Sequence, residues 1–132
     1  MQKIPATVNL VLSVLSETFT IHKLSPDVSI PEEILKSNYY SFSKTKNELS
    51  VVCSELIEVQ SLQSSKGGKC IKVKGPLDLN LTGILAGISD ILAQTNISIF
   101  AISTFDTDYI LVRSQDLSPA RTKLRQAGYK FE

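Results

Sequence analysis

The sequence has few of the residues that carry catalytic, redox or nucleic-acid chemistry. It contains one histidine, two cysteines and no tryptophan, and its 14 basic and 13 acidic side chains leave a net charge of +1. Such a small charge attracts neither a phosphate polymer nor an acidic membrane, so we expect no nucleic acid and no membrane as partners. Cys53 and Cys70 lack a CxxC spacing, and His22 lacks a nearby nucleophile motif. We therefore expect no enzyme, no metal site and no cofactor, with His22 a half-exposed strand residue.

Long apolar runs are also missing. The two longest, residues 8–15 and 84–93, are interrupted by polar side chains and cannot span a bilayer. The first residues show neither the continuous apolar core nor the small-residue cleavage site of a secretory signal. These features predict a cytoplasmic protein in which Cys53 and Cys70 are reduced and buried.

The first half of the chain predicts two hairpins around a short helix. Residues 8–15 and 19–24 alternate like paired strands across a polar turn at 16–18, and residues 39–43 and 49–53 form a second pair. Pro31, Glu32 and Glu33 suit the first turn of a helix that ends near Ser37. Residues 54–69 lose hydrophobic periodicity and gain glycine and serine, which predicts a linker between two units.

The second half predicts the order βαββαβ. Strands are expected at 70–74, 97–103, 109–113 and 129–131, with helices that follow Thr82, as a cap, and Ser118. This order is that of a ferredoxin-like unit, an antiparallel sheet with two helices on one face. A shift of 60 positions aligns the hairpin of the first half with that of the second, which indicates a duplication. We therefore predict an α+β fold of two ferredoxin-like units, residues 1–65 and 66–132.

Two loops of the second unit carry groups that suit a small zwitterion. The first loop precedes a helix and can offer free backbone N–H groups to a carboxylate. The second loop is a hairpin tip whose hydroxyls and carboxylates can hold an ammonium group. Each loop also has an ordinary interpretation, as a helix cap and as a polar turn. The candidate ligand-binding residues are Asp78, Leu79, Asn80, Leu81, Thr82, Gly83 and Ile84 in the first loop, and Ser103, Thr104, Phe105, Asp106, Thr107 and Asp108 in the second.

The same two loops carry a resemblance to ACT domains. The segments LTGILA at 81–86, ILA at 91–93 and NISI at 96–99 resemble the ACT core motif, and ISTFDTDYILV at 102–112 resembles the hairpin of the aspartokinase-type, tandem branch. That branch includes small stand-alone proteins of two ACT units. The resemblance implies amino-acid binding at interfaces between units, through the loops at 78–84 and 103–108. Many ACT domains have a short Asp-Arg-Pro-Gly-like turn where this chain has a longer loop at 77–83, which leaves the identity of the ligand open.

From the residues and the resemblance together, we expect a small, allosteric regulatory module that binds a free amino acid and forms a homodimer. Residues 66–132 would be the ACT domain, and residues 1–65 would be a degenerate ACT-like unit that serves as a packing partner. The ligand carboxylate would meet amides near Thr82, Gly83 and Ile84, and Asp106 or Asp108 would accept from its ammonium group. The alternative is a ligand-free interaction domain that pairs with a second copy or with a partner enzyme.

Overall fold

The structure is a computed structural model that describes residues 10–78 and 80–132. These residues form two units. The N-terminal unit is Ser16–Gly68, and the C-terminal unit combines the described residues up to Leu15 with Lys69–Glu132. Two long strands, β1 (Val11–Leu24) and β4 (Gln63–Val73), contribute residues to both units.

The N-terminal unit contains a short helix and a four-strand segment of sheet. Its elements are the second part of β1, α1 (Glu32–Leu35), β2 (Ser41–Lys44), β3 (Leu49–Ser54) and the first part of β4, with strand order β2-β3-β1-β4. Both β1 and β2 run antiparallel to β3. The predicted hairpin at 39–53 and the helix after Pro31 are therefore confirmed. The core is Leu24, Ile34, Leu49, Val51 and Cys53.

The C-terminal unit contains the longer helices. After β4 come α2 (Ile84–Gln94), β5 (Phe100–Ser103), β6 (Asp108–Arg113), α3 (Leu117–Gln126) and β7 (Lys130–Phe131), so the predicted βαββαβ order is present. The strand order is β7-β1-β4-β6-β5. Helix α2 buries Ile84, Ile88 and Leu92, members of the apolar stripe that its spacing predicts. The fold is mixed α+β with antiparallel strand pairs.

The predicted turn at residues 16–18 is wrong, because β1 continues through it as one strand of 14 residues. None of the three residues is a glycine, proline or asparagine of the kind that a tight turn favours. The carbonyl of Thr18 instead accepts a hydrogen bond of 2.8 Å from the amide of Glu55. Residues 16–18 are thus a polar stretch within a strand.

The predicted linker at 54–69 is also wrong over its second part, where β4 begins at Gln63. Gly67 lies inside this strand with φ of 74°, a left-handed conformation that side chains disfavour. Glycine at this position therefore permits an irregular strand conformation.

The two units differ from the predicted division into 1–65 and 66–132. Strand β7 runs parallel to β1, with Val11 opposite Lys130 and Leu12 opposite Phe131. The start of the chain therefore completes the sheet of the C-terminal unit. Within the described residues, no helix has both the length and the apolar character needed to cross a membrane.

Candidate functional site

The two predicted loops of the C-terminal unit meet at a surface cavity of about 300 Å³. One loop connects β4 to α2, and the other is the turn between β5 and β6. The predicted residues that line the cavity are Asp78, Leu81, Gly83, Ile84, Ser103, Phe105, Asp106, Thr107 and Asp108. Leu77, Leu85 and Ala86 line it as well and were not predicted. The structure thus brings the two loops together around one space.

The other predicted site residues lie elsewhere. Asn80, Thr82 and Thr104 do not line the cavity, and Leu79 lies outside the described residues. The amide of Asn80 donates to Oδ1 of Asp78 over 2.8 Å, and the hydroxyl of Thr104 donates to the carbonyl of Thr107 over 3.0 Å. These contacts shape the two loops from within.

The N-terminus of α2 is open to an anion. The predicted cap Thr82 is wrong: Gly83 occupies the N-cap position with φ of 79°, and no side chain caps the helix. The first intrahelical bond joins the amide of Gly87 to the carbonyl of Gly83 over 2.9 Å. Helical geometry therefore leaves the amides of Ile84, Leu85 and Ala86 without intrahelical acceptors. Because the first turn has no acidic residue, no side chain there balances the positive end of the helix dipole.

Two hydrogen bonds and one close backbone approach fix the hairpin tip against the first loop. The buried hydroxyl of Thr107 donates to the carbonyl of Val73 over 2.6 Å, and the amide of Leu77 donates to the carbonyl of Asp106 over 2.7 Å. Gly75 passes so close that a Cβ atom there would lie 3.0 Å from the Asp106 carbonyl oxygen. The relative position of the two loops is therefore set by backbone contacts and one buried side chain.

The hairpin tip supplies two carboxylates. The hydroxyl of Ser103 donates to Oδ1 of Asp108 over 2.5 Å, while Asp106 is exposed. Among the described ion pairs, none involves either aspartate. Both carboxylates are therefore available to a cation that enters the cavity. Phe105, 78% exposed, adds a large apolar surface to the lining.

No metal site is evident in the part of the chain that the structure describes. Residues 10–78 and 80–132 contain no group of three or more His, Cys, Asp or Glu side chains placed to hold a metal ion. Neither Cys53 nor Cys70 forms a disulfide, and both are buried. Burial raises the pKa of the Cys53 thiol, and it raises that of Cys70 to about 12, so both thiols are protonated at neutral pH.

Two family models match the chain. The first, described as the ACT domain, matches residues 63–126, which run from β4 to the end of α3. The second, described as an N-terminal domain, matches residues 17–57 of the N-terminal unit. The chain matches no curated protein sequence.

Solved structures extend the similarity over nearly the whole chain. The Agrobacterium tumefaciens protein Atu0741 is 33% identical with a TM-score of 0.85, over 93% of this chain and 92% of that one. A Vibrio cholerae protein of unknown function, VC0802, described as a possible transport protein, has a TM-score of 0.70 at 13% identity over 92% of both chains. The aspartate kinase of Clostridium acetobutylicum, described as an allosteric enzyme, has a TM-score of 0.65 at 12% identity. That match covers 88% of this chain but 34% of the kinase. The chain belongs to the ACT domain family.

Proposed function

We propose that this protein is a regulatory module that binds a free amino acid in the cavity between the loops at 78–84 and 103–108. The observation that carries the proposal is that an uncapped helix N-terminus and two carboxylates line one cavity. Among the residues that the structure describes, neither carboxylate forms an ion pair. Helix N-termini bind anions, and carboxylates accept hydrogen bonds from ammonium groups. An amino acid carries one group of each kind.

The lining favours a particular orientation of the ligand. Its carboxylate would accept hydrogen bonds from the amides at the start of α2, and its ammonium group would donate to Asp106 or Asp108. Asp108 is already held by Ser103, which reduces the freedom that binding would remove. Leu77, Leu81 and Phe105 would contact the ligand side chain, which favours an apolar or partly apolar amino acid.

The proposed role is regulatory and non-catalytic. Each unit would derive from a ferredoxin-like repeat, and the repeat of the N-terminal unit would be degenerate. Two copies of the chain would form a homodimer. An exposed phenylalanine at the cavity supports an arrangement in which a second copy covers Phe105. Ligand binding would then favour one arrangement of the dimer over another. A cytoplasmic location agrees with two buried, unpaired cysteines.

Calorimetry with the twenty common amino acids tests the proposal. We expect saturable heat with one amino acid or a few chemically related ones. Exchange of both carboxylates, Asp106→Asn with Asp108→Asn, should weaken binding about tenfold or more, because a hydrogen bond to a charged group contributes about 1.5–3 kcal/mol. The control Asp27→Asn changes an exposed aspartate of the N-terminal unit and should bind like the wild type. Absence of heat across the panel would remove the amino-acid claim.

A ligand-free interaction domain is the second candidate. Leu56 and Leu62 of the N-terminal unit are 92% and 67% exposed, so a partner that covered them would remove apolar surface from water. This candidate predicts no heat with amino acids and an association state that no amino acid changes. Light scattering of the wild type, alone and with each of the twenty amino acids, therefore distinguishes the two candidates.

A further inference from the structure

The N-terminal unit contains a cavity of its own, of about 420 Å³. Its lining comes from Thr20 and His22 on β1, from residues 55 and 57–61, and from Ser64 and Lys66 on β4. All of these residues belong to Ser16–Gly68, so the cavity is independent of the one beside α2.

The path of residues 55–62 explains why space remains there. In the C-terminal unit, helix α3 follows the hairpin and precedes the last strand, whereas residues 55–62 connect β3 to β4 without a helix. Strands β3 and β4 flank β1 on opposite sides, so this segment crosses over β1. It begins where the Glu55 amide donates to the Thr18 carbonyl and ends where the Leu62 amide donates to the Lys23 carbonyl, both over 2.8 Å. An irregular segment of eight residues covers less of the sheet than a helix would.

His22 lies against this space with an unmet hydrogen-bonding atom. The residue is 6% exposed, which corrects the prediction of a half-exposed histidine. Its Nδ1 lies 3.2 Å from the Ser61 hydroxyl, while its buried Nε2 has no partner among the described residues. Buried polar atoms are normally satisfied, so an unsatisfied one beside a cavity indicates a missing partner. When the Ser61 hydroxyl donates to Nδ1, the neutral ring carries its proton on Nε2 and can donate it.

The charges around the cavity indicate which partner fits. Burial and the nearby Lys66 ammonium both lower the pKa of His22, so the ring is neutral at neutral pH. Glu55 is already engaged, since its Oε1 accepts from the Gly67 amide over 2.9 Å. Lys66 and Glu58 are the remaining charged residues of the lining, and both are exposed. A donor on His22, the hydroxyls of Ser61 and Ser64, and the Lys66 ammonium together suit an anionic oxygen.

We infer that the cavity beneath residues 55–62 is a second binding site, for a small molecule with a carboxylate that meets His22 and Lys66. The carboxylate belongs either to a simple organic acid or to an amino acid. Glu58 distinguishes these two sources, because its charge repels a simple acid and attracts an ammonium group.

Nuclear magnetic resonance of the full chain tests this site directly, because His22 is the sole histidine and its ring signals need no assignment. The probes are sodium acetate, sodium succinate, glycine and alanine, with sodium chloride as the control for ionic strength. We expect a saturable shift of the His22 ring nitrogens and of the amides at 57–61 with at least one probe. Lys66→Gln should weaken that binding about threefold to fivefold, as expected for one partly screened ion pair. Lys46→Gln, an exposed exchange in the β2–β3 turn, should leave it unchanged.

Two further variants complete the test. Glu58→Gln should tighten binding of acetate or succinate but weaken binding of glycine or alanine. His22→Phe should abolish the amide shifts at 57–61 while the protein stays folded, because it removes the donor and keeps an aromatic ring. Two results would overturn the assignment and leave a water-filled cavity. One is that the ring signals respond to every probe in the same way as to chloride, and the other is that Lys66→Gln does not change the binding.

Discussion

Thr107 shows how one side chain holds the candidate amino-acid site together. It is 4% exposed, and its hydroxyl donates to the carbonyl of Val73 over 2.6 Å, which attaches the hairpin tip to the end of β4. Thr107→Val keeps the shape of the side chain but removes its hydroxyl donor, so the carbonyl of Val73 loses this hydrogen bond. We expect the free energy of unfolding to fall by about 1–3 kcal/mol.

Urea denaturation measures this change, with Thr107→Ser as the matched control. Serine keeps the hydroxyl and loses a methyl group, which should cost about 1 kcal/mol. A valine variant as stable as the wild type would show that the hydrogen bond contributes nothing.

His22 makes stability depend on pH in a defined direction. Its pKa is lowered from 6.5 by burial first and then by Lys66, so the unfolded chain binds more protons than the folded protein below about pH 6.5. Stability therefore rises with pH through this window, and it falls on acidification until the pH drops below the folded pKa. We expect a lower free energy of unfolding at about pH 5.5 than at about pH 7.5.

His22→Gln should reduce that difference, because glutamine does not titrate. Chemical denaturation of both proteins gives the free energy of unfolding at the two pH values. The pH dependence of the variant is subtracted from that of the wild type, which removes the contribution of the carboxylates. Equal pH dependence in wild type and variant would contradict the burial of the ring.

Individual site residues were predictable to the extent that local pattern determines them. A hairpin tip and a helix start can be recognised from the sequence, and Asp106, Asp108 and Ile84 on these two features line one cavity. Their role in binding stays a prediction. Thr82 was misassigned as a cap because the next residue, Gly83, adopts a left-handed conformation and takes that position. The burial of His22 arises from a segment 33 or more residues away in the chain, 55–62, and no local pattern reveals it.

At the scale of elements, β1 is the clearest departure from the sequence prediction. A turn at 16–18 would accept proline, whereas proline inside a sheet strand cannot donate a backbone hydrogen bond to its neighbour. We expect Glu17→Pro to lower the free energy of unfolding by about 1–3 kcal/mol, the cost of one backbone hydrogen bond lost from the sheet. Glu17→Ala, which keeps the backbone amide, should have a much smaller effect. Thermal unfolding of the pair measures both, and a proline variant as stable as the alanine variant would favour the turn.

Helix α2 offers a variant that separates binding from stability. Ala86 is exposed, lines the cavity and is the third residue of the helix, where a carboxylate interacts favourably with the dipole. Ala86→Glu should stabilise the protein by about 0.3–1 kcal/mol. It should also weaken amino-acid binding about tenfold or more, equal to about 1.4 kcal/mol, because the new carboxylate competes with that of the ligand.

Ala86→Gln is the neutral control and should bind close to the wild type. Calorimetry and thermal unfolding on the three proteins give both quantities. Equal affinities for the glutamate and glutamine variants would mean that the ligand carboxylate does not bind at this helix end.

Elements with strong local signals were predicted and the others were not. The stripe of Ile84, Ile88 and Leu92 and the alternation around Val51 identify α2 and β3 directly. The first part of strand β4 could not be predicted because its glycine and serine residues are typical of linkers. Gly67 adopts a left-handed conformation within the strand, which the sequence alone does not indicate.

In the whole molecule, the family could be predicted from the sequence, but the assignment of chain segments to the two units could not. Parallel pairing of β1 with β7 joins residues about 120 apart, and sequence alternation specifies that each is a strand but not which strand it meets. The ACT resemblance of the second half was recognisable because its helix and hairpin are contiguous in the chain. Placement of the first residues in the C-terminal unit needed the fold itself.

A free amino acid bound in the cavity between the start of α2 and the β5–β6 turn would change the surroundings of the backbone amides on both sides of it. Amide chemical shifts of the isotopically labelled full chain, recorded during titration with the twenty amino acids, test both binding and location. We predict saturable shifts at the amides of Ile84, Leu85 and Ala86 and at residues 103–108, with the same dissociation constant at both places. A folded protein in which no amino acid shifts these amide signals would show that amino acids do not bind in this cavity.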